Sequence, residues 1–342
     1  MAAVAARHPK QLLALTGETS LLQQTVARLD ALLRPHDIYV ITSDAHVRAT
    51  REQLPQLPEG NVLGEPLARS TAVAAGLAMT LARRESDEVC LVLPADHFVA
   101  DEAAFADALR DAAHVAERGY LVALGVVPTH PATGYGYIKA GERLHPSSPT
   151  ALVERFVEKP DAARASAFLA EGDFFWNAGI FVWRAYAYRQ ALERFQPVLA
   201  EALEHVGAIH RTPGWMGRVR DILEPIPAIT IDVGVAEPAA AEGRMAVVPL
   251  RAGWSDIGSW AALLEALTAA RGKDLVASGR HLDRDSHRVL VHAGDRLVVT
   301  VGLEDLIIVD TPDALLVCHR DRAEEIKPVL DEIARTAGER YL

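Results

Sequence analysis

The feature that most constrains the fold is a series of short apolar runs that alternate with helical segments between residues 20 and 126. The apolar runs lie at residues 37–42, 89–93 and 121–126. The helical segments between them lie at residues 71–84 and 102–118. An earlier helix is predicted by the capping box of Ser20 and Gln23. Apolar strands separated by helices are typical of a mainly parallel sheet covered on both faces. The pattern therefore predicts an α/β fold whose ligands bind beyond the carboxyl ends of the strands.

The pattern changes after Arg271, where short strands divided by Gly and Asp turns replace the helices. These strands lie at residues 289–291, 297–301, 306–309 and 314–317. A closing helix is predicted over residues 323–336. We therefore expect a large domain over residues 1–270 and a small β-rich C-terminal domain over residues 271–342.

The chain of 342 residues is acidic, with 35 Lys and Arg residues against 46 Asp and Glu residues and a net charge of −11. Proteins that coat nucleic acid normally carry the opposite sign, so we expect no nucleic-acid partner. The two cysteines lie far apart in sequence, which fits a reducing cytoplasm rather than a disulfide framework or a zinc site. No run approaches the ~20 apolar residues of a membrane span, and the first residues lack the pattern of a signal peptide. We therefore expect a cytoplasmic protein with no membrane partner.

Two aspartates are candidate metal ligands: Asp96 follows a strand, where an α/β sheet exposes its ligand site, and Asp256 is flanked by glycines and indoles. Asp96 belongs to Pro94-Ala95-Asp96-His97, directly after the apolar run 89–93, and Asp256 lies between Trp254 and Trp260. Together they would hold Mg²⁺ or another divalent cation, because Mg²⁺ takes few protein ligands and leaves positions for phosphate oxygens. The alternatives are that Asp96 caps the next helix and that Asp256 lies in a capped turn.

Two lysines could bind phosphate as point charges. Lys159 follows Glu158 at the end of a strand, where the lysine suits phosphate and the glutamate can accept hydrogen bonds from sugar hydroxyls. Lys10 lies in the Pro-Lys-Gln turn near the start of the chain. An ion pair at a strand edge and a solvated lysine are the corresponding alternatives.

Three further motifs suit a sugar nucleotide. Gly134 lies among aromatic residues, as where a backbone approaches a ligand closely. Asn177 can present an amide to a sugar hydroxyl, and Glu65 can accept from the two adjacent N–H donors of guanine. A hairpin turn, a chain reversal and a helix-entry loop explain the same three motifs without a ligand.

The motifs are specific in their order along the chain. They are Pro9-Lys10-Gln11, Glu65-Pro66 with Thr71-Ala72, Pro94-x-Asp96-His97, Thr133-Gly134-Tyr135-Gly136-Tyr137, Phe156-Val157-Glu158-Lys159-Pro160, Trp176-Asn177-x-Gly179, Ile231-Asp232 and Trp254-Ser255-Asp256-x-Gly258. This order resembles the short, single-activity mannose-1-phosphate guanylyltransferases, which are sugar-nucleotidyltransferases, over nearly the whole chain. The resemblance implies a Rossmann-like nucleotidyltransferase domain followed by a β-helix-like domain that commonly forms homodimers. It also implies that GTP and mannose 1-phosphate react to give GDP-mannose and pyrophosphate.

The resemblance also implies a role for each motif residue. Asp96 and Asp256 match the Mg²⁺ ligands, Lys10 the clamp on the nucleotide phosphates and Lys159 the clamp on the sugar phosphate. The sugar-binding groups are matched by Glu158, Asn177 and the backbone of Gly134, and the guanine-binding group by Glu65. Thr71 and Asp232 match positions near the substrates, and we include both among the expected binding residues.

One family feature is missing from this sequence. Family members begin with a strand that leads into a Gly-Gly-x-Gly-x-Arg-Leu loop before Pro-Lys-Gln, and the sequence from Met1 contains neither. The loop would give N–H groups and an arginine to the GTP phosphates. A start codon assigned too far downstream explains the difference, and so does a non-catalytic regulatory or binding paralogue. A nucleotidyltransferase for another hexose 1-phosphate or nucleotide is the third interpretation.

Overall fold

The computed structural model describes residues 9–67, 70–82, 88–210, 212–312 and 314–336. Its α-helices are α1 (Leu21–Ala27), α2 (Val47–Gln53), α3 (Thr71–Ala82), α4 (Glu102–Glu117), α5 (Ala162–Glu171), α6 (Ala185–Phe195), α7 (Pro197–Ile209), α8 (Trp215–Leu223), α9 (Glu237–Ala241), α10 (Trp260–Arg271) and α11 (Ile326–Thr336). A π-helical segment, Asp232–Ala236, directly precedes α9.

The strands of the described residues are β1 (Val40–Ser43), β2 (Val62–Glu65), β3 (Val89–Val92), β4 (Phe98–Val99), β5 (Leu121–Val126), β6 (Tyr137–Arg143), β7 (Ala151–Val157), β8 (Phe174–Arg184), β9 (Met245–Leu250), β10 (Trp254–Ser255), β11 (Leu275–Ser278), β12 (His281–Arg284), β13 (Val289–His292), β14 (Val298–Val301), β15 (Leu306–Asp310) and β16 (Leu315–His319). The predicted helix 71–84 is present as α3, and its last two residues lie outside the described part of the chain.

The chain divides into two compact units. The first comprises Met1–Leu29, Ala95–Glu102 and Ala252–Leu342, and the second comprises Asp30–Pro94 and Ala103–Arg251. The predicted boundary near residue 271 between two sequence domains stays a prediction. Within the described residues we find no helix with the length and apolar character that a membrane span requires.

The second unit contains a six-stranded sheet with the strand order β3-β8-β5-β9-β7-β6. Strands β7 and β8 run opposite to the other four, so that β5 with β9 is the single parallel neighbour pair among the described pairings. A mainly parallel sheet was therefore the wrong expectation. An apolar run indicates that both faces of a strand are buried, but it does not indicate the direction of the strand. A mixed sheet buries both faces as well as a parallel sheet does. Strands β1 and β2 form a separate parallel pair.

The core of the second unit holds the beginning of α3 in place. Trp183 of β8 stacks on Tyr188 of α6, with ring centroids 4.2 Å apart. The Tyr188 hydroxyl is buried, which raises its pKa, and it donates to the backbone oxygen of Ala72, 3.1 Å away. The first turn of α3 is thus fixed from the core side, next to Thr71.

The first unit joins a short helical segment to a β-rich region. The predicted capping box is confirmed, because Ser20 and Gln23 exchange the two side-chain-to-backbone hydrogen bonds at the start of α1. Strands β11, β13 and β15 form one parallel ladder, and β12 with β14 forms a second. Strand β16 returns antiparallel to β15. The β-rich arrangement expected after Arg271 is therefore confirmed.

Candidate active site

In the first unit, strand pairing brings the two candidate metal ligands to one end of a small ladder. Strand β4 begins two residues after Asp96, and β10 ends immediately before Asp256. The two strands are antiparallel, with Ser255 opposite Phe98. The residues that precede β4 and the residues that follow β10 therefore lie at the same end of the ladder.

Lys10 joins these two aspartates. Its ammonium nitrogen lies 2.9 Å from Oδ2 of Asp96 and also donates to the backbone oxygen of Asp256. The side chains of Lys10 and Asp96 are 19% and 34% exposed, so the ion pair is partly shielded from water. Three residues that lie far apart in sequence thus form one group, which we call the aspartate–lysine cluster (Lys10, Asp96 and Asp256).

A largely buried histidine, with a side chain that is 12% exposed, connects the two aspartate segments. His97 accepts a hydrogen bond at Nδ1 from the Trp254 indole N–H, 3.1 Å away, so the proton of the neutral ring lies on Nε2. Burial lowers the pKa of His97 to about 4, although the carboxylates of Asp96 and Asp256 act in the opposite direction. His97 is therefore neutral and links the residue after Asp96 to the residue two before Asp256. Its contact was not foreseen from the sequence, although His97 and Trp254 both lie in the motifs.

Arg28 supports the same segment from α1. Its guanidinium donates to the backbone oxygen of His97 at 3.2 Å, and burial lowers its pKa. On the other side, Ile257 is fully buried with a φ of +47°. A β-branched residue rarely adopts this conformation, and it persists where the surroundings impose it. The loop that carries Asp256 is thus held in one strained shape.

The aspartate–lysine cluster suits a small divalent cation. Among the described residues no three or more His, Cys, Asp or Glu side chains group as a complete metal cage. Mg²⁺ needs no such cage, because one or two carboxylates and the substrate phosphates usually complete its shell. The Lys10 ammonium lies between a carboxylate oxygen of Asp96 and the backbone oxygen of Asp256, so positive charge is stabilised at this position. The Asp256 carboxylate itself accepts at Oδ1 from the backbone N–H of Gly258, 3.0 Å away, as in the capped turn that was the alternative expectation.

In the second unit, Asn177 is held by three neighbours. Its Nδ2 donates to Oδ1 of Asp232 at 2.6 Å, and its Oδ1 accepts from the backbone N–H of Gly179 at 3.0 Å. Its own backbone N–H donates to the oxygen of Gly136 at 2.8 Å. The amide is therefore fixed in one orientation, which suits recognition of a hydroxyl pattern.

Glu158 and Lys159 lie after β7 in the same unit. The Lys159 ammonium lies 3.4 Å from Oε1 of Glu158, and it remains largely exposed. The backbone N–H of Glu158 donates to Oε1 of Glu237 at 3.3 Å. Burial and the nearby negative charge of Asp232 raise the pKa of Glu158, and burial raises the pKa of Asp232. We call Glu158, Lys159, Asn177 and Asp232 the sugar half-site.

The two glycines of the Gly-Tyr-Gly-Tyr motif differ in their surroundings. A Cβ at Gly134 would meet no atom within 4 Å, so this backbone is open. A Cβ at Gly136 would lie 2.7 Å from Oε2 of Glu158 and 3.3 Å from Cβ of Asn177. Gly136 is therefore the glycine that the packing of the sugar half-site requires. The sequence drew attention to the motif but singled out Gly134.

Thr71 and Glu65 lie at the ends of their elements. Thr71 begins α3, and its hydroxyl accepts a hydrogen bond from the backbone N–H of Ile231 at 3.0 Å. It therefore fixes the residue next to Asp232. Glu65 is half-buried at the carboxyl end of β2, opposite Ser43 in the parallel β1. Glu65 thus lies at the carboxyl end of a strand, where ligands were expected to bind.

Comparison with known proteins identifies two matching family models. Residues 3–272 match the model described as nucleotidyl transferase, and residues 279–333 match the mannose-phosphate isomerase/GMP-like β-helix domain. The xanthan biosynthesis protein XanB of Xanthomonas campestris pv. campestris (strain B100) is 41% identical over 97% of this chain and 69% of its own length. A mannose-1-phosphate guanylyltransferase of Escherichia coli is 39% identical over 98% of this chain and 71% of its own length.

A solved structure resembles the fold of the whole chain. It is described as mannose-1-phosphate geranyltransferase from Thermus thermophilus and is 34% identical in sequence. The match covers 96% of this chain and 93% of that protein, with a TM-score of 0.84.

Proposed function

The chain belongs to the nucleotidyl transferase family, and we propose that it transfers GMP from GTP to mannose 1-phosphate. The products are GDP-mannose and pyrophosphate. The name of the Escherichia coli relative, at 39% identity over nearly the whole chain, supports this choice of substrates. The family also supports a catalytic protein over a regulatory or binding paralogue.

The observation that carries the proposal is the aspartate–lysine cluster. The sugar phosphate is already a nucleophile, so the reaction requires no general base and no covalent enzyme intermediate. A phosphate oxygen of mannose 1-phosphate bonds to the α-phosphorus of GTP, and the bond from that phosphorus to the bridging oxygen of pyrophosphate breaks. The main barrier is the approach of two polyanions, which neutralising groups lower. Lys10, at 2.9 Å from Asp96, is held where it can bind the nucleotide phosphates.

Asp96 and Asp256 would hold Mg²⁺, and their hard oxygen donors support this choice of ion. When bound, the ion would neutralise phosphate charge as a Lewis acid. His97 and Trp254 keep the two aspartate segments joined whether or not a ligand is present, because their hydrogen bond lies within the protein.

The sugar half-site supports binding of the second substrate. Glu158, Asn177 and Asp232 offer carboxylate and amide groups to sugar hydroxyls, and the exposed ammonium of Lys159 suits the sugar phosphate. For the remaining residues we keep the roles implied by the family motifs. Glu65 would accept from guanine, and the open backbone of Gly134 would approach the sugar.

Thr71 belongs to the same set of expected binding residues. Its hydroxyl accepts from Ile231, which leaves the hydroxyl proton for a ligand. We also propose the cytoplasm as the location and a domain boundary near residue 271, as the sequence pattern suggests.

We further propose that the protein forms a homodimer through the β12–β14 ladder. Three outward side chains of this ladder are apolar and exposed: Leu282, Val299 and Val301 are 60%, 52% and 61% exposed, and the exposed Arg284 lies opposite Val301. On the opposite face Thr300 is buried and its hydroxyl donates to Asp283 at 2.6 Å. A group of exposed apolar side chains of this kind usually marks an interface.

The function is tested by measuring pyrophosphate release from GTP with mannose 1-phosphate and MgCl₂. Asp96→Asn and Asp256→Asn should each reduce turnover roughly a hundredfold or more. The control is Asp107→Asn, which removes a surface carboxylate that pairs with Arg110 and should leave turnover unchanged. Near-normal pyrophosphate release from both site variants would refute the assignment of the aspartates. Turnover with another hexose 1-phosphate or nucleotide, but not with mannose 1-phosphate and GTP, would refute the choice of substrates.

A further inference from the structure

The segment around Asp232 is not an ordinary α-helix. Residues Asp232–Ala236 form a π-helical turn, and the backbone N–H of Glu237 donates to the oxygen of Asp232, five residues earlier. In an α-helix, residues five apart point about 140° away from each other. The wider π-turn reduces this angle, and both carboxylates contact residues of the sugar half-site.

Each of these two carboxylates holds a different part of the sugar half-site. Asp232 accepts from the side-chain amide of Asn177 in β8, at 2.6 Å. Glu237 accepts from the backbone N–H of Glu158, just after β7, at 3.3 Å. The turn and the residue that follows it therefore bind two parts of the half-site through one short element.

The turn is itself fixed at its start and its middle. The hydroxyl of Thr71 accepts from the backbone N–H of Ile231 at 3.0 Å. The Gln196 side chain donates to the backbone oxygen of Gly234 at 3.1 Å. A Cβ at Gly234 would lie 2.8 Å from the side chain of Ile229, so the tight packing of the turn requires glycine here. These contacts keep the π-turn from relaxing into an α-helix.

We propose that Glu237 is a positioning residue for mannose 1-phosphate, acting through the main chain of Glu158. The proposal rests on the proposed function, because it assumes that the sugar half-site binds this substrate. Glu237 does not itself need to touch the sugar. Its carboxylate fixes the Glu158 backbone, and this in turn fixes where the Glu158 carboxylate and the Lys159 ammonium point. π-Turns of this kind occur frequently at functional sites.

The test compares variants that keep or remove the acceptor at position 237. Glu237→Gln keeps an oxygen in the same place, whereas Glu237→Ala removes it and Glu237→Asp withdraws the carboxylate by one methylene. Glu237→Asp keeps the charge of the native residue, so the comparison stays informative if Glu237→Ala fails to fold. Glu242→Ala is the control, since Glu242 pairs with Arg194 on the surface near the end of α9.

Calorimetric titration with mannose 1-phosphate gives the affinity directly, and steady-state kinetics give KM for each substrate. We expect Glu237→Ala and Glu237→Asp to weaken mannose 1-phosphate binding about tenfold. Each variant loses the hydrogen bond from the Glu158 backbone to a charged acceptor, and a loss of this kind is large enough for that effect. KM for GTP should stay within about twofold, and Glu237→Gln and Glu242→Ala should bind like the wild type.

Four results would overturn the proposal. Wild-type affinity in Glu237→Asp would show that the Glu158 backbone does not depend on this acceptor. Equal rises in KM for GTP and mannose 1-phosphate would indicate a general structural role, and so would a loss in Glu237→Gln as large as in Glu237→Ala. A wild-type protein that binds no mannose 1-phosphate at all would overturn the proposed function and this proposal with it, a result distinct from the other three.

Discussion

Substitution of Gly136 by alanine is expected to separate sugar binding from stability. The added Cβ would lie 2.7 Å from Oε2 of Glu158, where an ordinary carbon–oxygen contact is about 3.3 Å. The Glu158 carboxylate must therefore withdraw by about 0.6 Å, and as the far end of a flexible side chain it can do so at little cost. The contact with Asn177 Cβ, at 3.3 Å, requires a smaller shift of a more rigid group. We expect a stability loss of about 1 kcal/mol, or a fall in Tm of about 2–4 °C.

The effect on the substrate should be larger than the effect on the fold. In the proposed function the Glu158 carboxylate binds a sugar hydroxyl, and displacing it would remove a charge-assisted hydrogen bond worth about 1.5–3 kcal/mol. KM for mannose 1-phosphate should therefore rise about tenfold to a hundredfold, while KM for GTP changes little. Pyrophosphate release gives both constants, and thermal unfolding gives the stability.

The matched control is Gly217→Ala in α8, where a Cβ meets no atom within 4 Å and the backbone is exposed. It should leave KM for both substrates unchanged and should raise Tm by up to about 2–4 °C, because alanine favours a helix over glycine by about 0.5–1 kcal/mol. The reasoning fails if Gly136→Ala keeps KM for mannose 1-phosphate within twofold of the wild type. It also fails if the variant does not fold. That result would show that the Glu158 carboxylate cannot move away from the added methyl group at little cost.

Two further predictions concern stability and assembly. Burial raises the pKa of Asp232 above its usual value near 3.8. The folded protein therefore loses stability as the pH rises through this interval, because the buried carboxyl group becomes charged. Asp232→Asn removes the cost of burying that charge and keeps an acceptor for Asn177. Its Tm should therefore exceed that of the wild type by about 1–3 °C at pH 7.5 and should match it near pH 3.5; an equal gain at both values would contradict the cause given. Val301→Asp places a charge on the apolar β12–β14 face, and light scattering should report a monomer where the wild type is a dimer; a variant that remains dimeric would place the interface elsewhere.

The helices and strands that the sequence did predict have local signals. The Ser20 capping box and the apolar run that became β5 both needed no information from distant residues. Strand direction was not predictable in the same way. The apolar run at residues 174–184 forms β8, which pairs with β3, β5 and β6. Its antiparallel direction depends on the chain path between strands, and an apolar pattern does not record that path.

Candidate residues were easier to select from the sequence than the contacts between them. Lys10 and Asp256 are 246 positions apart in sequence, and no local pattern indicates that the ammonium of one meets the backbone oxygen of the other. Carboxylates and lysines at the ends of strands could be selected because phosphate and metal chemistry demands those side chains. The structure adds that Lys10 pairs with Asp96 and Lys159 with Glu158, so each candidate phosphate-binding lysine is held by a carboxylate.

Gly136 and Glu237 show why positioning residues escape a search by chemistry. Gly136 matters because it has no side chain. This becomes evident only in the structure, where Oε2 of Glu158 lies 2.7 Å from the position that a Cβ would occupy. Glu237 is an acidic residue on a helix, which ordinarily indicates a solvated surface. Its acceptor role depends on a hydrogen bond spanning five residues, and a search for the 3.6-residue helical period would place it on a different face from Asp232. Such residues are recognised by asking which backbone groups a site must hold still, rather than which side chains its chemistry needs.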